Sequence, residues 1–257
     1  QFSSGENPVL FIKDPKGMNR HMRRNMLDNL AELNQLSYQE FGDPEINTKI
    51  QQYEMAYRMQ TAVPEVMDVS KESDDIIKLY GPDCLVPGTF AANALLARKL
   101  SENGVRFVQL YHQGWDQHGD LPYEITKQAK DVDQASAALV TDLKQRGLLD
   151  ETLVIWGGEF GRTNYSQGKL TKDNYGRDQH PRCFSIWMAG GGVKPGIVCG
   201  ETDEFGCNVS KDGVHVHDFQ ATVLHLLGLD HEKLVFKHSG RRYRLTDVEV
   251  KVVKEKK

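Results

Sequence analysis

An α/β fold is what this sequence predicts: three layers, with helices on both faces of a mostly parallel (mixed) sheet and a helical portion in front. Three observations carry it. The apolar run VRFVQLYH at residues 105–112 is followed by a long amphipathic stretch and then by a second apolar run, TLVIW, at 152–156. Strand, helix, strand makes a βαβ unit, whose two strands run parallel. Both runs are nearly continuous in apolar residues, the pattern of strands covered on two faces. Finally, the first hundred residues carry hydrophobic side chains at helical rather than alternating spacing.

The elements follow in order. Residues 17–41 place Met22, Met26, Leu30, Leu33 and Leu36 along one helical face. A second helix begins with Pro44 in its first turn and is expected to stop at Pro64. A short helix over 74–80 and an amphipathic one over 88–104, closed by Gly104, complete this portion. Residues 1–87 are thus expected to be a helical cover belonging to a larger domain, and 88–257 the α/β portion itself. After the strand at 105–112 comes a helix over 121–147, with Ile125, Ala129, Val132, Ser136, Leu139 and Leu143 along its stripe. CFSIWMAG at 183–190 reads as a third strand, and 217–230 as a final helix with Phe219, Val223, Leu226 and Leu227 on one face. Residues 158–182 between them are polar and punctuated by glycine, and read as a functional loop.

Composition removes some classes of function. The formal net charge is −4, so no basic field argues for nucleic acid or for an anionic membrane surface. No apolar stretch reaches the roughly 20 residues that a membrane helix requires. Cys84, Cys183, Cys199 and Cys207 lack the CxxC spacing of a metal or redox motif. For Cys199 and Cys207, a bridge across a hairpin and idle thiols both remain open.

The chemistry-bearing residues gather where strands should end. Open α/β sheets bind ligands beyond the carboxyl ends of their parallel strands. GWDQHG follows the first strand and GGEFGR the second, which would bring Asp116, His118 and Glu159 to one edge. GRDQHPRCF precedes the third strand with no crossover helix before it. An antiparallel course would leave Asp178 and His180 beside the same group. In GVHVHDFQAT, alternation puts His215 and His217 on one side; Asp218 is either a metal ligand or the cap of the next helix. Carboxylate and imidazole together suit zinc first, then manganese, magnesium or calcium. Arg162 and Arg177 carry planar forks that match a tetrahedral oxyanion. Each group also has a structural explanation: a capped loop for Asp116 and His118, a salt bridge for Glu159 and Arg162, a pinned loop for Asp178 and His180.

Taken together, GWDQHGDLP, LKQRGLLDETLVIWGGEFGRT, GRDQHPRCFSIWMAGGGVKPG, VHVHDFQATVLHLLGLDHEKL and GRRYRLTDV resemble the bacterial family called domain of unknown function 1501, through nearly the whole chain. That family is grouped with the alkaline phosphatase, sulfatase and phosphoglycerate mutase superfamily, so the resemblance implies an alkaline phosphatase-like core. It implies, too, a metal-dependent hydrolase of small-molecule or glycan phosphate or sulfate esters, exported to the periplasm or beyond. Asp116, His118, Glu159, Asp178, His180 and His217 would be the metal donors; Arg162, Arg177 and His180 would act on the ester. Two departures stand against a full two-metal site. Asp116 and His118 are closer in sequence than the superfamily pattern has them, and Phe160 occupies the place of an expected histidine. No nucleophilic Ser, Thr or Cys is assigned, and the opening QFSSGENPVL shows neither charged leader nor apolar signal core: either a targeting segment was removed or, as the resemblance implies, the chain is the C-terminal part of a longer protein. The competing expectation is a non-catalytic relative that binds sulfated or phosphorylated glycans.

Overall fold

A computed structural model describes residues 14–168, 170–246 and 250–253, apart from the side chains of residues 59, 61 and 62. The chain divides into two compact units, Gln1–Leu110 and Tyr111–Lys257.

The first unit is helical. Helix α1 (Arg20–Phe41) starts at Asn19, whose side chain accepts the Met22 N–H at 2.9 Å, and ends at Gly42 in the left-handed region. Helix α2 (Pro44–Met67) starts at Asp43, which accepts the Glu45 N–H at 2.9 Å. Pro64 does not stop it. It lies inside the helix, which forgoes the hydrogen bond of the missing N–H and runs three residues further, to Met67. Arg24 ties the pair together through Asp28 on its own helix and Glu54 on α2, with its guanidinium 4.8 Å from the Tyr57 ring centroid. Helices α3 (Asp74–Tyr80) and α4 (Phe90–Glu102) follow. Along α4, Ala91, Ala94, Leu95 and Leu100 are buried, and the small alanines let neighbouring backbone come close. Arg98 is 1% exposed and pairs with Glu72 at 2.6 Å and Glu102 at 2.7 Å.

Residues 105–112, expected as the first strand, carry no ladder. Phe107 is 77% exposed and Tyr111 80%. Their β-rich composition expresses itself only where a partner strand offers hydrogen bonds, and none does among the described residues. Helix α5 (Leu121–Gln145) then forms as expected, but its buried face is turned relative to the expected stripe. Gln128, Val132, Ala135, Ala138, Asp142 and Leu143 lie inward, while Ile125 is 37% exposed. Only Val132 and Leu143 belong to both sets.

The fold class itself is corrected. The described strands form four separate two-stranded antiparallel sheets and no parallel three-layer core of the alkaline phosphatase type. Strand β1 (Val154–Trp156) pairs with β4 (Trp187–Ala189), Val154 opposite Ala189 and Trp156 opposite Trp187. The antiparallel course expected for the third apolar run therefore holds, while the parallel neighbour that would have made a βαβ sheet is absent among the described residues. The stretch expected to be a loop is instead a hairpin of β2 (Gly161–Gln167) and β3 (Gly176–His180). Buried Thr163 secures it, donating to the Tyr165 carbonyl at 2.9 Å and accepting the Asp178 N–H at 3.0 Å.

Strands β5 (Glu201–Thr202) and β6 (Val209–Lys211) flank a turn in which Asp203 accepts the Cys207 N–H at 2.8 Å. Helix α6 (Val216–Leu226) carries Ala221 and Thr222 into the interior. It is capped by His215, not by Asp218: the His217 N–H donates to the His215 ring at 3.2 Å, and Asp218 reaches back to the His215 N–H at 3.3 Å. Strands β7 (Val235–His238) and β8 (Arg241–Arg244) are joined by Ser239 and Gly240, both with positive φ, the backbone of a tight hairpin turn. Residues 251–253 return to α6, where the Lys251 N–H donates to Asp218 at 2.8 Å and the Val253 N–H to Thr222 at 2.9 Å. All four cysteines are free thiols, so Cys199 and Cys207 form no bridge. No described helix is long and apolar enough to cross a membrane.

Candidate functional site

The segment 112–120 lies on the β2–β3 hairpin and is held there mainly by backbone. The Arg177 N–H donates to the Gln117 carbonyl at 3.0 Å, and the Leu121 N–H to the Tyr175 carbonyl at 3.0 Å. The Asp120 N–H donates to the Asn174 side chain at 3.0 Å. Gly176 makes this contact possible: a Cβ there would stand 1.9 Å from the His118 carbonyl carbon and 2.4 Å from the Gly119 nitrogen. Gly161 has the same role at the other end, where a Cβ would stand 1.7 Å from the Cys183 carbonyl oxygen.

On this support the polar side chains converge. Arg162 donates to Asp116 at 2.7 Å, and His118 Nε2 lies 2.9 Å from the same carboxylate oxygen. The other ring nitrogen of His118 contacts the Gln167 side chain, and Gln179 hydrogen-bonds Asp116. The Arg162 guanidinium holds the Asp116 carboxyl below the usual carboxylate range, outweighing the opposing effect of desolvation, with a lesser contribution from His118. Asp116 and His118 remain exposed, so a ligand has access to both.

The other expected site residues turn elsewhere. Strand alternation sets Gln179 opposite Arg162 in the ladder and on the Asp116 side, which turns Asp178 and His180 the other way. The Asp178 carboxylate accepts the Gln179 N–H at 2.8 Å, and His180 Nε2 lies 2.9 Å from the Cys207 carbonyl. Arg177 donates to the Thr163 carbonyl at 2.6 Å, which makes it a brace of the hairpin. Glu159 is exposed in the turn between β1 and β2. His217 stands at the start of α6, its ring 4.8 Å from that of His215. Among the described residues, no three His, Cys, Asp or Glu side chains are gathered as a metal site requires.

A family model described as Protein of unknown function (DUF1501) matches residues 1–256. The chain belongs to this DUF1501 family. No curated protein and no solved structure matches it.

Within this DUF1501 chain, the sequence reading passed over the glutamines. Asp-Gln-His occurs twice, at 116–118 and 178–180, and the middle residues make the junction: Gln117 through its carbonyl, Gln179 through its side chain. The repeated tripeptide was the available signal. Also missed was an aromatic cluster beside the polar one. Trp156 and Trp187 face each other across β1 and β4 with centroids 6.3 Å apart and planes within 5°. Trp115 sets its edge against Trp156 at 6.1 Å and donates to His112 at 2.9 Å.

Proposed function

We propose that the chain forms part of a hydrolase of phosphate or sulfate esters, in keeping with its resemblance to the alkaline phosphatase and sulfatase superfamily. The observation that supports this most is the contact of Arg162, Asp116 and His118 on an exposed, backbone-held loop. Arg162 would hold the ester's oxyanion, exchanging part of its contact with Asp116 for the ligand. His118, oriented by Asp116, would move the proton: as water adds to phosphorus or sulfur and the ester bond breaks, the protonated imidazole gives its proton to the departing oxygen, and the proton released by the added water restores it. A divalent ion, zinc first by the chemistry of the donors, would add positive charge near the ester oxygen. The described residues offer it two adjoining donors, Asp116 and His118, and no third. They do not fit a complete ion site. Export to the periplasm or beyond belongs to the same proposal.

Hydrolysis of 4-nitrophenyl phosphate and sulfate by the purified chain, with metal content measured in parallel, tests this reading. Arg162→Ala is expected to lower kcat/KM about 10²-fold, the usual effect of losing one oxyanion donor. No turnover of either ester, or unchanged turnover in Arg162→Ala, would overturn it. A second reading, a non-catalytic binder of sulfated or phosphorylated glycans, is favoured by the missing third donor and by Phe160, 43% exposed where a ligand histidine was expected. Binding of such a sugar without hydrolysis would decide for it.

A further inference from the structure

The hairpin of β7 and β8 takes no part in the proposed hydrolysis and carries charge of one sign. Residues 233–244 hold five Lys or Arg and no Asp or Glu, in a chain of formal net charge −4. Lys233 pairs with Asp230 at 3.0 Å. Lys237, Arg241, Arg242 and Arg244 make no ion pair among the described residues, and every residue of both strands is exposed. The register sets Lys237 opposite Arg242. Like charges directly opposite destabilise a ladder, so the hairpin forms in spite of them. Alternation puts Lys237, Arg242 and Arg244 on one face of the ribbon. Phe236 and Tyr243 lie on the other, stacked with centroids 5.4 Å apart.

The ribbon also has an open edge. Among the described residues β8 pairs with β7 alone. Ser239 and Gly240 make a two-residue turn, so the pair beside it, His238 and Arg241, is hydrogen-bonded, and bonded and unbonded pairs alternate from there. Arg242 and Arg244 fall on unbonded pairs, and their N–H and C=O groups point outward along the free edge of β8. The same two residues thus offer a partner both main chain and charge. Cations on an edge deter pairing in general. Charge of a single sign deters selectively: it repels a second copy of this ribbon and favours an acidic strand.

We propose that β8 takes up an extended acidic segment of a partner polypeptide as a third, antiparallel strand. Carboxylates two residues apart in such a strand repeat at roughly 6.8 Å, the same period that separates Arg242 from Arg244. A Glu or Asp opposite each arginine exchanges main-chain bonds with it and meets its guanidinium on the same face. The phosphates of a nucleic acid bring acceptors alone, and leave the two outward carbonyls without a donor. The acidic strand uses both.

Fluorescence anisotropy of labelled peptides mixed with the full chain tests this. The probe is the hexapeptide TEVEVT, blocked at both ends. One control is TKVKVT; the other is TEVEVT methylated on both glutamate nitrogens, which keeps the charge and removes the donors that face β8. TEVEVT is expected to bind saturably and to weaken in about 0.5 M NaCl, where the screening length is only a few ångströms. TKVKVT is expected not to bind, and the methylated probe to bind at least about tenfold more weakly than its parent. Arg242→Glu combined with Arg244→Glu, checked for folding by circular dichroism, is expected to weaken TEVEVT on the order of tenfold or more. The methylated probe needs no variant, so the test stands whether or not the variant folds. Lack of saturable TEVEVT binding overturns the proposal, and so does equal affinity for the methylated probe or in the folded double variant. Tighter binding of a labelled oligouridylate than of TEVEVT also overturns it, in favour of nucleic acid.

Discussion

The substitution Gly176→Ala tests how the site is assembled. The added methyl would meet the backbone of His118 and Gly119 at 1.9–2.4 Å, well inside any tolerated approach. Backbone cannot swing aside as a side chain can, so segment 112–120 and β3 have to part. Parting costs the 3.0 Å bond from the Arg177 N–H to the Gln117 carbonyl and draws Asp116 away from Arg162. Overpacking of this kind costs about 1–3 kcal/mol. For a unit of this size each kcal/mol lowers the melting temperature by about 2–4 °C, so a fall of about 2–12 °C is expected. Thermal unfolding by circular dichroism measures it, and the emission of Trp115, one residue from Asp116, reports the local parting. Gly104→Ala is the control. That position has positive φ and nothing within 4 Å, so it carries only the cost of backbone conformation and lies outside the site. If Gly176→Ala melts like the parent chain with the same tryptophan emission, the loop does not rest on the hairpin as described, and the candidate site has no support.

Other perturbations reach other parts. Arg162→Gln should return the Asp116 carboxyl toward its ordinary value, read by NMR titration of its side-chain carbon. Because the folded value is depressed, the stability this pair lends is present above about pH 3.9 and is lost as pH falls through the lower folded value; the variant should lose that dependence. Arg98→Met strands Glu72 in the interior of the helical unit, and about 3 kcal/mol should be lost. That is the low end for a broken buried pair, because Lys99 stays 3.2 Å from Glu72. Leu95→Ala, at a fully buried position, should cost about 2–5 kcal/mol, and a denaturant titration reads the loss in both variants. Thr163→Val removes the hydroxyl that accepts the Asp178 N–H, and should raise hydrogen exchange at that amide while leaving that of α4 unchanged.

How much was legible without coordinates differs between the helices and the sheet, and for a physical reason. Helices α1, α4 and α5 lie close to where periodicity put them, because a helix satisfies its hydrogen bonds within its own segment and local sequence is enough to start and stop it. Strands take their bonds from elsewhere in the chain. Residues 105–112 have the composition of a buried strand and no ladder, whereas the polar stretch 161–180 pairs with itself as β2 and β3. The direction of pairing depended on which partner came within reach, and composition holds no record of that. The site shows the same division. Sequence alone gave Asp116, His118 and Arg162 as residues of consequence, by residue type and glycine setting. It could not tell that Arg162 would meet Asp116, or that Asp178 and His180 would face away. One register on β3 decided both: Gln179 opposite Arg162 puts its own neighbours on the other side of the ribbon.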